Sequence, residues 1–377
     1  MAHPSGTSPR VGTGAVLPWI VAASVSAASV ALVAQDLSIR EYKPKSTLVV
    51  PAHPVPRAKY PVIDVHSHHW QLTPERYAQV VREMDALNLR VLVNLSGGSG
   101  EGLKRMLALI AASAAPDRMV VFANLDVEDI DEPGYGRRAA ARLEADVAAG
   151  ARGLKIFKNL GLSVKRAGAR VPLDDPELDP VWQACGRLKI PVLMHTGEPA
   201  PFFDPVDPAN ERWLELQVHP ERRRPSPAFP PFEALMAERD RLFTRHRGTT
   251  FIAAHMGFHA NDLARLGRML DAMPNVYVET GAILAELGRQ PRFAREFFTR
   301  YQDRVLFGKD SWTPSEYPYF WRTFETADEY FDYYRDYHAF WKLYGLDLPD
   351  VVLRKLYYAN ALRVVPGLDP KPFPAGT

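Results

Sequence analysis

Two histidines separated by one residue give the clearest chemical signal in this sequence. They lie in Asp64-Val65-His66-Ser67-His68, which ends a short apolar run typical of a β-strand. Because alternate residues of a strand point to the same face, His66 and His68 direct their imidazoles to one side. Two neutral imidazoles on one face form half of a site for a borderline metal such as zinc.

Three more polar residues follow later apolar runs. His195 and His255 each end such a run, and Asp310 stands just after the run Val305-Leu306-Phe307. A single histidine at a strand end is usually a packing residue. Several of them, each at the end of a different strand, indicate one convergent site, because the strand ends of a closed barrel meet around one axis.

The elements that would position these residues are strands alternating with helices. Apolar strands suit a parallel sheet buried on both faces, and the alternation predicts βαβ units. Eight units favour a closed (β/α)8 TIM barrel, with an open doubly wound sheet as the alternative. The predicted strands are Val62–Val65, Val91–Val93, Met119–Phe122, Gly153–Phe157, Pro191–Met194, Phe251–Ala254, Val276–Val278 and Val305–Phe307.

Helical spacing joins several of these strands, and two connections are unusually long. The predicted helices are Pro74–Ala86, Gly102–Ala115, Arg137–Ala149 and Pro231–His246. The long connections are residues 199–231, rich in proline and arginine, and the aromatic stretch from Asp310 to Tyr344. Both follow strand ends, where the loops of a barrel build the active-site face, so we expect them to form pocket walls or lids.

Composition and charge narrow the class of protein. The 377 residues carry a formal net charge of +2 with 24% charged residues, a balance that does not call for a nucleic-acid partner. The single cysteine, Cys185, cannot form an internal disulfide or a thiolate metal site, and its apolar neighbours predict a buried thiol.

The N-terminal part differs from the rest. Arg10 precedes an uncharged run over residues 15–34, which predicts a secretory signal peptide or, alternatively, a membrane anchor that tethers the protein. We therefore divide the chain into a signal or anchor (residues 1–35), a linker (36–60), the barrel (61–366) and a C-terminal tail (367–377), and expect an exported protein, periplasmic or secreted.

These motifs together resemble the amidohydrolase superfamily, and most closely its branch of aminocarboxymuconate-semialdehyde decarboxylase-like enzymes. His66-Ser67-His68 resembles the first-strand pair, and His195-Thr196-Gly197 and His255-Met256-Gly257 resemble the histidines of the fifth and sixth strands. Gly308-Lys309-Asp310 resembles the eighth-strand aspartate, although the branch more often has Thr or Ser before it. Tyr358-Ala359-Asn360-Ala361-Leu362-Arg363 resembles the closing helix.

The resemblance implies a single divalent metal, with zinc as the expected ion. Its ligands would be His66, His68, His195 and Asp310. The implied catalytic residues are His255, as the acid and base that serves the activated water, and Asp310, which is also a ligand. The resemblance further implies a small-molecule substrate and a homodimer.

Lys155, on the predicted fourth strand, has two interpretations. It stands where binuclear members of the superfamily carry a carbamylated lysine that bridges two metals, which would give two ions per chain; Lys158 is an alternative one turn later. The simpler interpretation, which we favour, is a lysine that holds an anionic group of the substrate.

Other residues near the strand ends are weaker candidates. Substrate contacts are predicted for Glu198, Glu279 and Trp312. His69 faces the opposite side of its strand, and Arg222-Arg223-Arg224 is either an anion contact in a lid or a solvated charge run. Surface or packing roles are expected for His219, His246, His259 and His338.

The aromatic stretch divides into two parts. The first part, Trp312 to Trp321, directly follows the predicted metal aspartate and is the better candidate for a pocket that holds a planar substrate. The second part, Phe331 to Trp341, has helical spacing, which predicts core packing.

Three functions are consistent with the sequence. The first is a metal-dependent hydrolase that acts on a small carboxylate-bearing or aromatic substrate. The second is a non-oxidative decarboxylase of an aromatic or enoic acid, which would use the same ligands. The third is a noncatalytic exported binding protein. Because fold does not fix function, the site must discriminate among them.

Overall fold

A computed structural model describes residues 37–38 and 41–374, so the predicted signal or anchor lies outside the described residues. Residues Ser46–Thr377 form a compact unit that contains the whole barrel. Among the residues that the structure describes, no helix is both long enough and apolar enough to cross a bilayer.

Eight parallel strands close into a barrel, as predicted. They are β1 (Val62–His68), β2 (Leu89–Asn94), β3 (Met119–Val121, continued by Ala123–Asn124), β4 (Leu154–Ile156), β5 (Val192–Met194), β6 (Phe251–Ala253), β7 (Val276–Glu279) and β8 (Val305–Leu306, continued by Asp310–Ser311). The two parts of β3 and of β8 join a four-stranded and a six-stranded arc into one ring. The buried aliphatic side chains of these strands fill the core.

Helices alternate with the strands and cover them. They are Pro74–Leu87, Gly100–Ala111, Tyr135–Ala149, Asn159–Leu162, Asp179–Leu188, Trp213–Val218, Phe232–Arg245, Leu263–Ala272, Leu284–Gly288, Pro291–Arg300, Tyr317–Glu325, Asp350–Arg354, Lys355–Ala359 and Asn360–Val364. The first of these helices, Pro74–Leu87, shows how the local sequence sets the start of a helix. Thr73 accepts a hydrogen bond from the Arg76 amide, and Pro74 presets the first helical turn.

The chain closes with a continuous helical segment whose middle turn, Lys355–Ala359, is a π-helix. The side-chain amide of Asn360 in its last part donates hydrogen bonds to the carbonyl groups of Gln302 and Val305, each at 2.7 Å. Asn360 therefore fastens the closing helix to the start of β8.

The prediction of a pocket for the first part of the aromatic stretch after Asp310 is wrong, whereas the prediction of core packing for the second part is confirmed by Phe331 and Tyr333, which are buried in the core. Tyr317–Glu325 is a helix that buries Tyr317, Phe320 and Trp321 completely, so the first part is core and not pocket. The second part contains no helix, because Phe331 and Leu343 exchange backbone hydrogen bonds of 3.0 and 2.8 Å that a helix would not permit.

Candidate metal centre

The first and last strands bring together three of the four predicted metal ligands, His66, His68 and Asp310. β1 pairs with the continuation of β8 so that Ser67 lies opposite Asp310, which places Asp310 between the alternate residues His66 and His68. Asp310 adopts a φ of 89°, a conformation that L-residues rarely take. Such strain persists only where surrounding structure imposes it and often marks a functional site.

The donor atoms of these three residues have the spacing of a metal site. His66 Nε2 lies 3.3 Å from His68 Nε2 and 3.4 Å from Asp310 Oδ1, and His68 Nε2 lies 3.5 Å from that same oxygen. Ligands about 2.0–2.2 Å from a tetrahedral zinc ion stand about 3.3–3.6 Å from each other. The three atoms therefore fit three corners of a tetrahedral shell.

A hydrogen bond on the outer side of His66 fixes which nitrogen is free to bind. Its Nδ1 lies 2.9 Å from Glu279 Oε1, and a carboxylate accepts, so Nδ1 carries the hydrogen. Nε2 is then left with a lone pair directed at His68 and Asp310. A carboxylate behind a histidine is a common support for a metal ligand.

His195 and His255 are oriented in the same way by backbone carbonyls. His195 Nε2 donates to the Gly197 carbonyl at 3.1 Å, and His255 Nδ1 donates to the Gly281 carbonyl at 2.8 Å. The other two nitrogens, His195 Nδ1 and His255 Nε2, face each other at 3.1 Å with a lone pair each. Two facing lone pairs repel unless a cation or a proton lies beside them, which agrees with a divalent metal at this centre.

Burial keeps the first-strand imidazoles ready to bind. It lowers the pKa of His66 well below the usual value, and it lowers the pKa of His68 to about 4, with the charge of Lys155 acting in the same direction. Both rings are therefore neutral at pH 7. A neutral imidazole is the form that binds a metal.

Lys155 lies among these donors. Its side chain is fully buried, and Nζ is 3.5 Å from His66 Nε2. Burial lowers the pKa of Lys155 to about 8, against the opposing attraction of Asp310 and Glu279. The residue does not line the cavity described below, which puts it beside the predicted metal ligands and not in a substrate wall.

The sequence predicts a substrate contact for Glu279, whereas the structure places this residue behind the site, where it supports the donors. Its side chain is fully buried and also accepts hydrogen bonds from the backbone amides of His255, at 2.7 Å, and Gly281, at 2.5 Å. Gly308 makes room for it, because a Cβ there would stand 2.1 Å from Glu279 Oε2 and 2.9 Å from the Cβ of His66. The role of Glu279 was missed because only the fold shows which strands face each other.

Asp64, at the start of the first motif, joins β1 to β8. It accepts hydrogen bonds from the amides of His66 (2.9 Å) and Lys309 (3.1 Å) and from the Tyr317 hydroxyl (2.7 Å). Burial raises the pKa of Asp64 to about 7, against the lowering effect of these bonds. Lys309, the departure from the family pattern, is buried and forms an ion pair with Glu316.

A cavity of about 240 Å³ opens onto the centre. His195, His255 and Asp310 of the centre line this cavity, and so does the predicted Glu198. Trp312 is not part of the lining, because its indole packs on His69 and donates to Glu83 at 2.9 Å. The long connections supply most of the remaining charged lining, including Arg212, Glu215, Arg222, Arg335 and His338.

Two weaker candidates differ from their sequence interpretation. His338 lines the cavity, although only surface or packing was expected, because the segment around it is not helical. The arginine run is not solvated: Arg222 pairs with Glu215 at 2.5 Å, and Arg224 pairs with Glu198 at 2.6 Å.

Comparison with known proteins places this geometry in a family. The amidohydrolase family profile matches residues 63–367, which include the whole donor set and all eight strands except Val62 at the start of β1. The chain belongs to the amidohydrolase family. A search of curated proteins found no match.

Solved structures of this fold support the barrel. An uncharacterised TIM-barrel protein from Bordetella bronchiseptica is 16% identical with a TM-score of 0.51, covering 81% of this chain and 98% of that one. A 2,6-dihydroxybenzoate decarboxylase complexed with 2,6-dihydroxybenzoate is 16% identical with a TM-score of 0.50, covering 81% and 99%. A dihydroxybenzoic acid decarboxylase from a Polaromonas species, with bound manganese and 2-nitroresorcinol, gives 16% and 0.50, covering 81% and 96%.

Proposed function

We propose that this amidohydrolase is a metal-dependent hydrolase of a small carboxylate-bearing substrate. His66, His68, His195 and Asp310 would hold one divalent ion. When bound, the ion supplies Lewis-acid activation of water and of a substrate carbonyl at neutral pH. The residues of the chain then have to orient the substrate and move one proton.

The observation that carries the proposal is the orientation of His255. Because Nδ1 is committed to the Gly281 carbonyl, the free lone pair on Nε2 faces the donor set, and the ring lines the cavity. A base must be within hydrogen-bond reach of the proton that it accepts, and Nε2 of His255, 3.1 Å from the predicted ligand atom His195 Nδ1, would take this position for a water bound at the centre. The same nitrogen can return the proton to the leaving group.

The experiment is an activity screen on zinc-loaded protein with lactones, esters and amides that carry a free carboxylate, run in H₂¹⁸O. We expect one ¹⁸O atom in the product, and a loss of kcat of about 100-fold or more in His255→Gln, with zinc retained. The matched control is His53→Gln, a histidine that is 69% exposed and lies outside the cavity. Equal loss in both variants would contradict the role of His255.

Non-oxidative decarboxylation is the second candidate, favoured by the dihydroxybenzoate decarboxylases among the structural neighbours. In that reaction His255 would deliver a proton to the carbon that loses CO₂. In D₂O with a dihydroxybenzoate, release of CO₂ and one deuteron in the product, without ¹⁸O uptake in H₂¹⁸O, would replace the hydrolase proposal. Ligand binding without turnover of either class would favour a binding protein.

A further inference from the structure

The cavity wall away from the centre is rich in charge, and most of that charge is internally balanced. Arg212 forms ion pairs with Glu215 at 2.6 Å and Glu286 at 3.1 Å, and Arg222 pairs with Glu215 at 2.5 Å. Arg289 and Glu211 extend this network by one charge of each sign. These residues hold the wall together and leave no net charge for a ligand.

The charge of Arg335, unlike the charges of this network, is not fully balanced by its partners. Within the described part of the chain its one ion pair is with Glu316, at 3.4 Å, and Glu316 already pairs with the buried Lys309. Two cations therefore share one carboxylate. Arg335 lines the cavity and Lys309 does not, so the positive charge that remains faces the ligand space. Arg335 also donates to Oγ of Ser311, the residue after Asp310, at 3.4 Å.

A second positive charge that is not fully balanced lies next to His195. Glu198 Oε1 accepts from Lys158 Nζ at 2.7 Å and from Arg224 at 2.6 Å, so two cations again share one carboxylate. Glu198 is 6% exposed, whereas the Lys158 side chain is 45% exposed and lines the cavity. The unneutralised charge is therefore accessible to a ligand.

We propose that Arg335 and Lys158 form two anion subsites, so that the cavity selects a small dicarboxylate whose reacting group meets the metal centre. This inference rests on the proposed function for the reacting group only. Two unbalanced cations at the wall of one cavity favour a ligand with two negative charges. A volume of about 240 Å³ is below the usual range for ligand pockets, which restricts the ligand to a small molecule.

Hydrogen bonds in which one partner is charged are stronger than those between neutral groups. Loss of either cation should therefore weaken binding of a dicarboxylate by about tenfold or more, and should weaken binding of a matched monocarboxylate less. Arg335→Lys keeps the charge and loses the planar fork, so its effect should be smaller than that of Arg335→Gln.

The test is calorimetric titration of the zinc-loaded full chain with glutarate and with pentanoate, which has the same carbon count and one charge. Titrations are repeated for Arg335→Gln, Arg335→Lys and Lys158→Gln. Lys342→Gln is the control, because Lys342 lies in the same segment as Arg335, pairs with Asp332 and does not line the cavity. Zinc content and melting temperature of each variant report on folding.

We expect glutarate to bind about tenfold or more tightly than pentanoate, and expect this preference to disappear in Arg335→Gln and Lys158→Gln but persist in Lys342→Gln. Equal binding of the two acids, or an equal loss in the control, would overturn the inference. Glutarate has no bond to hydrolyse, so its binding tests the subsites alone. Selective binding together with no turnover of any compound in the H₂¹⁸O screen would reject only the hydrolase, and turnover in that screen without charge selectivity in the titrations would reject only the subsites.

Discussion

At the scale of single residues, the site depends on where each histidine carries its hydrogen. Glu279 and the carbonyl groups of Gly197 and Gly281 take the outer hydrogens, so the inner nitrogens present lone pairs. The sequence predicts which residues converge, because strand ends meet in a barrel. It could not predict Glu279 as the partner of His66, since Glu279 on β7 reaches β1 past the intervening strand β8.

The first residue-scale prediction concerns metal content. We expect about one zinc ion per chain in the wild-type protein and none in His66→Ala, because the site would lose a central donor. His69→Ala is the matched control, since His69 is bonded to Ser67 on the other side of β1. Elemental analysis of purified protein measures both. About two ions per chain would instead support a carbamylated Lys155 that bridges a binuclear site.

A second prediction tests Glu279. Glu279→Gln removes the charge that faces His66 Nδ1 but preserves the size of the side chain. We expect zinc affinity to fall by about 10- to 100-fold, as is common when the hydrogen-bond partner of a metal ligand is lost. Competition with a fluorescent chelator gives the affinity. An unchanged affinity would mean that the carboxylate does not support His66.

At the scale of elements, close approach of β1, β7 and β8 depends on a missing side chain. A Cβ at Gly308 would meet both Glu279 and His66. Strand positions were predictable from apolar runs, because buried parallel strands are apolar throughout. The conformation of the aromatic stretch after Asp310 was not predictable, because regular spacing of aromatic residues arises equally from a helix and from an irregular segment that packs on a core.

Gly308→Ala should therefore damage both the fold and the site. We expect the free energy of unfolding to fall by about 1–3 kcal/mol from overpacking, together with weaker zinc binding. Gly248→Ala is the control, because a Cβ at Gly248 would meet nothing within 4 Å. Urea unfolding of zinc-free protein measures the first effect. Equal stability of the two variants would show that the strands can move apart without cost.

At the scale of the whole molecule, buried ionisable groups set the response to acid. Burial lowers the pKa of His68 and His69 to about 4 and that of His259 to about 3. The unfolded chain binds protons at these positions from about pH 6.5 downward, while the folded chain does not. Stability is therefore lost as the pH falls from about 6.5 towards 4.

Asp64 has the opposite effect on stability. Its raised pKa of about 7 means that the folded chain binds a proton there at a higher pH than the unfolded chain does. Among the described residues six histidines have a lowered pKa, since His66, His195 and His338 join the three above, and they outweigh the three carboxyl groups whose pKa is raised, Asp64, Glu286 and Glu325. Each net proton contributes about 1.4 kcal/mol per pH unit. We expect the free energy of unfolding of zinc-free protein, from urea titrations, to be lower at pH 5 than at pH 7. A value that stays constant or rises towards pH 5 would contradict this.

The signal peptide or membrane anchor expected near the N-terminus stays a prediction. Residues 15–34 carry the expected signal or anchor, and they lie outside the described residues. The mass of the mature protein, and its distribution between soluble and membrane fractions, would test export and tethering separately.

The pairing of Ser67 with Asp310 places the donors of one site on the first and last strands of the ring. During synthesis on the ribosome, His66 and His68 leave the exit tunnel long before Asp310 and the closing helix with Asn360 are made. A nascent chain can therefore hold an ion in this geometry only once β8 has emerged. Binding of the ion would then show that the ring of strands is complete. A chain that ends before β8 would lack the ion when it meets the quality-control machinery of the cell.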